Sequence, residues 1–321
     1  MAKKKRKQTK TQKYKNKIKF LYVALASVII AFLLTVFLKS PFEIKETFKE
    51  VFKSEELSSD IIFPKDGEVE VTIIDVGQGL STYVNACGKH ILIDGGENEY
   101  GYDIVDFLKA RKVESLELVI ATHPHQDHIG GLDDVINNIE TKMILMPPMK
   151  KEQLPASEEF SDLISSIRER EIKYVVSKPG QIFNFGSGAV LTVLGPQRVY
   201  NDLNNLSVVS RLDFGDVSFM FTGDAELDAE NDLLKSKFDL DVDVLSAGHH
   251  GSSSSTGKNF LLRCSPKHVN ISCGKNNSHG HPNDEVIELL EECSIPYART
   301  DLNGNITYIT NGKDLQIYTE K

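Results

Sequence analysis

Residues 122–131 read Thr-His-Pro-His-Gln-Asp-His-Ile-Gly-Gly and follow a largely apolar run that ends at Ala121. Three histidines and one aspartate therefore fall within six positions. Side chains two positions apart on an extended backbone point to the same side, so His123 and His125 can hold one metal ion together. Asp127 and His128 follow a bend and are expected to face a second ion beside the first. Imidazole and carboxylate groups are accepted ligands of zinc and similar divalent metals, so this stretch predicts a metal site.

The same arrangement, a strand that ends in polar residues, recurs along the chain. Beyond the histidine stretch, the polar residues lie at Asp75, Asp94, Asp224, His249 and His281. Each follows a short apolar run typical of a strand, and amphipathic helical patterns are interspersed with these runs. Polar groups at the same ends of several strands indicate one rim held by a rigid scaffold. This order of elements favours an α/β (α+β) protein with two packed sheets flanked by helices.

Helical periodicity is clearest in five segments: residues 102–111, 132–139, 161–170, 225–234 and 284–292. A hairpin is predicted from residues 206–214 and 217–222, because Gly215-Asp216 between them is a dipeptide that favours tight turns. Short strands are predicted near the C-terminus, at residues 306–309 and 315–318.

The N-terminal region differs in composition from the rest of the chain. The first 19 residues carry ten Lys and Arg and no acidic residue, and residues 20–38 are apolar except for Ser27 and Thr35. A run of that length predicts one transmembrane helix, and its basic flank predicts a cytoplasmic N-terminus. A cleavable signal peptide is the alternative, but Leu-Lys-Ser-Pro at residues 38–41 is a poor cleavage site. We therefore predict a basic cytoplasmic tail (1–19), a membrane anchor (20–38), a spacer (39–67) and an extracytoplasmic domain (68–321).

The chain beyond the basic tail is acidic. It carries 27 Lys and Arg against 46 Asp and Glu, a formal balance of −19. A domain that grips long nucleic acid normally has a basic surface, so this composition argues against tight, extended DNA binding. It permits a small phosphate ester at a centre of divalent cations.

The order of several short motifs resembles the metallo-β-lactamase superfamily. These motifs are the His-x-His-x-Asp-His stretch, Thr222-Gly223-Asp224 after a strand, and His249-His250-Gly251-Ser252. More narrowly, Asp75-Val76-Gly77-Gln78-Gly79, Asn204-Asn205-Leu206-Ser207 and Gly280-His281-Pro282 are similar to motifs in the C-terminal hydrolase domain of the ComEC competence family. The resemblance covers the chain from about residue 68 onward. It implies an αββα sandwich with a two-metal site at one edge.

The resemblance also implies roles for individual residues. His123, His125 and Asp224 would hold the first ion, and Asp127, His128, Asp224 and His249 the second. Zinc is the expected metal, with manganese as the alternative. The candidate catalytic residues are Asp127, Asp224 and His281. His281 is expected to contact the substrate or the leaving group. The residues expected to orient ligands or contact substrate are Asp75, Asp94, Asn205, Ser207 and His250.

Two features depart from the family pattern. The chain has no histidine from Ile129 to Gly248, where many superfamily hydrolases have one, and the segment around Asn205 and Ser207 stands there instead. The first metal position is therefore predicted to be the weaker one. Leu80 replaces the aspartate that usually follows Gly-Gln-Gly in ComEC-like sequences, which argues against close equivalence to the competence nuclease.

The predicted function is a membrane-anchored, extracytoplasmic metal-dependent hydrolase of the phosphodiesterase or nuclease type. Two adjacent dications lower the pKa of water enough to supply hydroxide near pH 7, so no nucleophilic Ser or Cys is needed. Candidate substrates are a small phosphate ester, a nucleic-acid fragment and a phosphorylated envelope polymer. Two alternatives stay open: ester, lactone or β-lactam hydrolysis at the same centre, and a non-catalytic accessory domain of a competence apparatus.

Overall fold

The computed structural model describes residues 62–321. The predicted tail and anchor, and the predicted spacer up to residue 61, lie outside these residues. Within residues 62–321, no helix has both the length and the apolar character that crossing a bilayer requires.

The first sheet takes its strands from both ends of the described chain. Its strands are β1 (Val69–Ile73), β2 (Thr82–Ala86), β3 (Lys89–Ile93), β5 (Leu118–Ile120), β7 (Met143–Met146), β8 (Lys173–Val176), β16 (Ile306–Thr310) and β17 (Leu315–Thr319). Their order is β17-β16-β1-β2-β3-β5-β7-β8. The half from β17 to β3 is antiparallel, and the half from β3 to β8 is parallel.

The second sheet uses the middle of the chain. Its strands are β9 (Ile182–Gly186), β10 (Ala189–Val193), β11 (Ser210–Phe214), β12 (Val217–Phe221), β13 (Val244–Ser246), β14 (His268–Ile271) and β15 (Tyr297–Arg299). They run in the order β15-β14-β13-β12-β11-β10-β9, with parallel pairing from β12 to β15. Two short strands, β4 (Ser115–Leu116) and β6 (Glu140–Thr141), form a separate parallel pair.

Helices lie between the strands. They are α1 (Gly101–Ala110), α2 (Gln126–Ile129), α3 (Leu132–Asn138), α4 (Glu158–Glu169), α5 (Leu227–Leu234), α6 (Lys258–Cys264), α7 (Asp284–Glu292) and α8 (Thr300–Asn303).

The innermost core lies between the two sheets. Val71 and Ile73 of β1 and Phe219 and Phe221 of β12 belong to it, because alternate residues of a strand face the same side. Tyr308 of β16 packs edge-to-face against Phe219 with 5.9 Å between ring centroids. The two sheets therefore form a sandwich with one shared apolar layer.

Helices cover the outer face of each sheet. Leu92 of β3 faces away from the shared layer and packs with Leu108 of α1 and with residues of α3 and α4. Met220 of β12 likewise packs with Leu233 of α5 and with residues of α6 and α7. The layers are helix, sheet, sheet, helix, as the resemblance implied.

The predicted hairpin is confirmed as β11 and β12, but its first strand begins later than predicted. Residues Asn204–Leu206 form a short 3₁₀ turn instead of a strand. The backbone N–H of Val208 donates to the carbonyl of Thr122 at 2.9 Å and ties this segment to the loop after β5. The polar segment before β11 is therefore held against the predicted metal site.

The ends of strands from both sheets meet at one edge of the sandwich. The histidine stretch follows β5 of the first sheet, whereas Asp224 follows β12 and the His249-His250 pair follows β13 of the second. The backbone N–H of His249 donates to the carbonyl of Gly223 at 3.1 Å, which joins two of these loops.

Candidate metal centre

The histidine stretch bends where the sequence predicts a bend. His125 has an extended backbone (φ −77°, ψ 151°), and α2 starts at the next residue. The chain turns tightly after α2. Only glycine fits at position 131, because a Cβ there would collide with the carbonyl oxygen of Gly95. The first two histidines therefore lie on extended chain, and Asp127 and His128 lie on the helical turn.

A first group of donor atoms consists of His123, His125 and Asp224. His123 Nε2 lies 2.9 Å from His125 Nδ1 and 3.6 Å from Asp224 Oδ2. His123 and Asp224 are buried, and His125 is half-buried. Three donors this close together can share one metal ion.

A second group consists of Asp127, His128, Asp224 and His250. His128 Nε2 lies 3.1 Å from Asp224 Oδ1 and 3.2 Å from His250 Nε2. His250 Nε2 lies 3.2 Å from Asp127 Oδ2. Two imidazoles and two carboxylates in this arrangement offer four donors to a second ion.

Asp224 belongs to both groups because its two oxygens face opposite sides. Within residues 62–321, its Oδ1 is buried and accepts no hydrogen bond of good geometry, which is costly for a carboxylate oxygen unless a cation lies beside it. Burial raises the pKa of Asp224, but the imidazoles of His128, His250 and His123 outweigh burial and hold the pKa well below its usual range. The donor set thus fits two divalent ions that share one carboxylate.

Asp94 fixes the orientation of His128, as the sequence suggested. Its carboxylate accepts from the backbone N–H and the hydroxyl of Thr122 at 2.7 and 2.6 Å and lies 2.7 Å from His128 Nδ1. All three residues are fully buried. With Nδ1 held by a carboxylate, Nε2 of His128 is the atom left to bind a metal.

Other contacts orient the remaining buried histidines. His250 Nδ1 lies 3.0 Å from the carbonyl oxygen of Ser272, at the end of β14. His123 Nδ1 lies 3.3 Å from the hydroxyl of Ser207, which in turn accepts from the backbone N–H of Asp224 at 3.0 Å. Ser207 therefore orients a ligand candidate, which is one of the two roles that the sequence left open for it.

The electrostatics differ between the two sides of the centre. Burial and the neighbouring His128 lower the pKa of His123 well below its usual value. Burial also lowers the pKa of His128, but the carboxylates of Asp224, Asp94 and Asp127 outweigh it and raise the pKa well above its usual value. The imidazoles of the second group therefore have more carboxylates around them than His123 has in the first group.

The His249-His250 pair differs from the sequence expectation. The structure places His250, and not His249, in the second group of donors. Both residues have left-handed backbones, with φ of 51° and 56°, so their side chains diverge. The side chain of His250 is 2% exposed, whereas that of His249 is 23% exposed and has its Nδ1 3.2 Å from Glu226 Oε1.

Two residues expected near the ligands have structural contacts instead. The Asp75 carboxylate accepts from the backbone N–H of Gly77 at 3.3 Å and lies 3.6 Å from Lys321 Nζ, so it orients no histidine. Asn205 Oδ1 accepts from the backbone N–H groups of Glu226 and Ala229 at the start of α5, so its amide stabilises the end of a helix.

Leu80 takes part in the centre through its backbone. Its N–H donates to the carbonyl oxygen of Asp127 at 3.1 Å, while its side chain is buried. The position therefore supports the loop that carries Asp127 without supplying a side-chain ligand.

His281 lies at the same edge of the sandwich. Its ring centroid is 5.4 Å from that of His249 and 6.3 Å from that of His250. Burial and these imidazoles lower the pKa of His281 to about 4, and its buried Nδ1 has no hydrogen-bond partner in the described part of the chain. A neutral imidazole with a free ring nitrogen is thus available beside the donor groups.

Glu226 is a residue of the centre that the sequence did not single out. Its Oε1 lies near His249 Nδ1 and accepts from the hydroxyl of Ser254 at 2.9 Å and from the amide of Asn204 at 3.2 Å. The only sequence signal is its place two residues after Asp224. An acidic residue at the start of a helix is common for other reasons, so the signal is weak.

The model of the metallo-beta-lactamase superfamily matches residues 74–275, which include every donor of both groups. The chain belongs to the metallo-β-lactamase superfamily. ComE operon protein 3 of Bacillus subtilis is 32% identical over 265 residues, which cover 75% of this chain and 33% of that protein. Competence protein ComA of Neisseria gonorrhoeae is 30% identical over 246 residues, covering 76% of this chain and 32% of that protein.

This superfamily member therefore spans about a third of the length of the curated relatives it matches. Among solved structures, a metallo hydrolase from Ignicoccus hospitalis is similar with a TM-score of 0.50 and 15% identity, covering 75% of this chain and 98% of that one. At that identity the likeness supports the shared fold alone.

Proposed function

We propose that this protein is a membrane-anchored, extracytoplasmic phosphodiester hydrolase that uses two divalent metal ions. His123, His125 and Asp224 would hold the first ion, and Asp127, His128, Asp224 and His250 the second. Zinc is the proposed metal and manganese the alternative, since both accept imidazole and carboxylate ligands.

One observation carries this proposal: a buried carboxylate, Asp224, is shared by two groups of donors, and its Oδ1 makes no hydrogen bond of good geometry within residues 62–321 although His128 Nε2 lies 3.1 Å away. A site that only stabilised the fold would need one closed set of ligands, whereas two adjacent sets are the arrangement of hydrolytic centres. The family supports the same reaction class.

Bound divalent ions would supply a water of lowered pKa and polarise the phosphoryl group. The chain's own residues arrange the rest. Asp94 and the carbonyl of Ser272 hold the rings of His128 and His250 in a fixed direction. Asp127 is the more exposed of the two carboxylates in the second group, with 30% of its side chain accessible, so it is the one open to an entering substrate. His281 faces the same edge and is the proposed contact for the leaving group.

Phosphate esters are the favoured substrates for two reasons. One relative is named competence protein ComA, and we propose that this chain likewise acts on the phosphodiester bonds of nucleic acid. The acidic balance beyond the tail argues for a short fragment or a small ester over a long duplex. The proposed extracytoplasmic location of the hydrolase domain is supported by the sequence of residues 1–38. The basic tail favours a cytoplasmic N-terminus, and the apolar run at 20–38 would be the membrane anchor.

The test is turnover by the purified, metal-loaded full chain in detergent. Bis-p-nitrophenyl phosphate, phosphorylcholine esters, short single-stranded DNA, nitrocefin and a lactone would be compared with Zn²⁺ and with Mn²⁺. We expect hydrolysis of the phosphodiesters and its loss in Asp224→Ala. Turnover of nitrocefin or the lactone alone would overturn the phosphodiesterase proposal.

A further inference from the structure

His249 lies beside the first group of donors but does not belong to it. Its Nε2 is 3.6 Å from Asp224 Oδ2, the oxygen that also faces His123. No third donor from either group comes close enough to His249 to complete a set around one ion. The ring therefore borders the first metal position from outside.

The ring of His249 is held in place by neighbouring side chains. Its Nδ1 lies 3.2 Å from Glu226 Oε1 and 3.2 Å from the hydroxyl of Ser254. That hydroxyl also donates to Glu226 at 2.9 Å, so the three groups form a closed network. A ring fixed through Nδ1 has its Nε2 fixed in direction, here toward the first group.

Exposure separates His249 from the ligand candidates. Its side chain is 23% exposed, whereas those of His123 and His128 are completely buried. The ring of His281 lies edge-on to that of His249 with 5.4 Å between centroids, and its Nδ1 has no hydrogen-bond partner among residues 62–321. Two partly exposed imidazoles thus lie next to each other beside the donor groups, and only that of His249 is fixed by a carboxylate.

We propose that His249, positioned by Glu226, hydrogen-bonds a non-bridging phosphoryl oxygen of the substrate on the side of the first metal position. This inference rests on the proposed phosphodiester hydrolysis and names the residue that recognises the phosphoryl group. His249 is a substrate contact, and Glu226 is a positioning residue that acts through it. The substrate-binding imidazole would thus lie beside the first metal position, which lacks the additional histidine ligand that many superfamily hydrolases have.

The experiment compares His249→Ala, Glu226→Gln and the control Glu288→Gln in the metal-loaded full chain. Glu288 lies on α7 with an exposed side chain, so the control makes the same chemical change as Glu226→Gln. Metal content is measured by elemental analysis, orthophosphate binding by calorimetry, and KM and kcat with bis-p-nitrophenyl phosphate.

We expect His249→Ala to keep two metal ions while its Kd for orthophosphate and its KM rise about 10- to 100-fold, the effect of losing a hydrogen bond to a charged group. Glu226→Gln should raise the same two constants by a smaller factor with kcat changed less than KM, because an amide still restrains the ring. Glu288→Gln should stay within about twofold of the wild type.

Two results would overturn the inference. Loss of a metal ion in His249→Ala would make His249 a ligand, and unchanged orthophosphate binding would leave it without a substrate role. The proposed function fails separately: a wild type that binds orthophosphate through His249 yet cleaves no phosphodiester would contradict the reaction and leave the contact standing.

Discussion

Replacing Asp94 by Asn tests how the second metal position is held. The carboxylate of Asp94 accepts three hydrogen bonds, two from Thr122 and one from His128 Nδ1, all between 2.6 and 2.7 Å. An amide has a single acceptor oxygen, so in Asp94→Asn at least one of these donors faces an NH₂ group. If that donor is His128 Nδ1–H, the ring loses the contact that leaves Nε2 free for a metal.

Loss of such an orienting contact typically lowers metal affinity 10- to 100-fold, which corresponds to about 1.4–2.7 kcal/mol. We therefore expect Asp94→Asn to weaken one of two metal-binding steps by that factor, measured by competition with a chromophoric chelator. Asp75→Asn is the matched control, because the Asp75 carboxylate contacts Gly77 and Lys321 and no histidine. The reasoning is refuted if Asp94→Asn binds both ions within twofold of the wild type, or if Asp75→Asn loses as much affinity.

Three further predictions concern stability and packing. Burial raises the pKa of Glu230 to about 7 from its usual 4.5, so the stability that protonated Glu230 contributes is complete below pH 4.5 and is lost as the pH rises to 7. Urea unfolding should show the wild type losing up to about 3 kcal/mol of unfolding free energy over that window relative to Glu230→Gln. The control Glu288→Gln, at an exposed position, should follow the wild type. Parallel pH profiles for Glu230→Gln and the wild type would contradict the raised pKa of Glu230. Phe219→Ala, in the layer between the sheets, should lower the free energy of unfolding by about 3–5 kcal/mol, and a loss below 1 kcal/mol would argue against that layer. Gly79→Ala would place a Cβ 2.6 Å from the carbonyl oxygen of Asp127. It should therefore lower stability by about 1–3 kcal/mol and weaken metal binding at the second position. Metal affinity equal to that of the wild type would show that the loop carrying Asp127 can shift to accommodate the Cβ.

The sequence predicted best what depends on nearby residues. The spacing of His123, His125, Asp127 and His128 follows from a strand that ends in a helical turn, and the structure has that bend at His125. Strands such as β12 were predictable because their alternate residues face the shared core. The layered order of sheets and helices followed from the same alternation together with the family resemblance.

The choice between His249 and His250 depends on contacts that the local sequence does not contain. The two residues are adjacent and identical, and both have left-handed backbones. The carbonyl of Ser272 fixes His250 from the end of β14, and Glu226 holds His249 from the start of α5. These partners lie more than twenty residues away along the chain, so only the folded structure assigns the two rings.

Edge strands and turns account for the other differences. The sequence did not predict β9, which lies at the edge of the second sheet and carries exposed residues such as Ile182 beside Asn184 and Gly186. A weak strand at an edge is stabilised by its pairing with β10 more than by its own composition. The strand predicted from residue 206 starts only at Ser210, because the preceding asparagines bond to neighbouring loops and helix ends.

The account depends most on Asp224 as the carboxylate shared by two metal ions. Calorimetric titration of the metal-free full chain with Zn²⁺ tests this directly, with Asp224→Ala measured beside the wild type. We predict two ions per chain for the wild type and at least a hundredfold loss of affinity at both positions in the variant, since each group loses a buried donor. Binding of two ions by Asp224→Ala with wild-type affinity would contradict the shared-carboxylate centre.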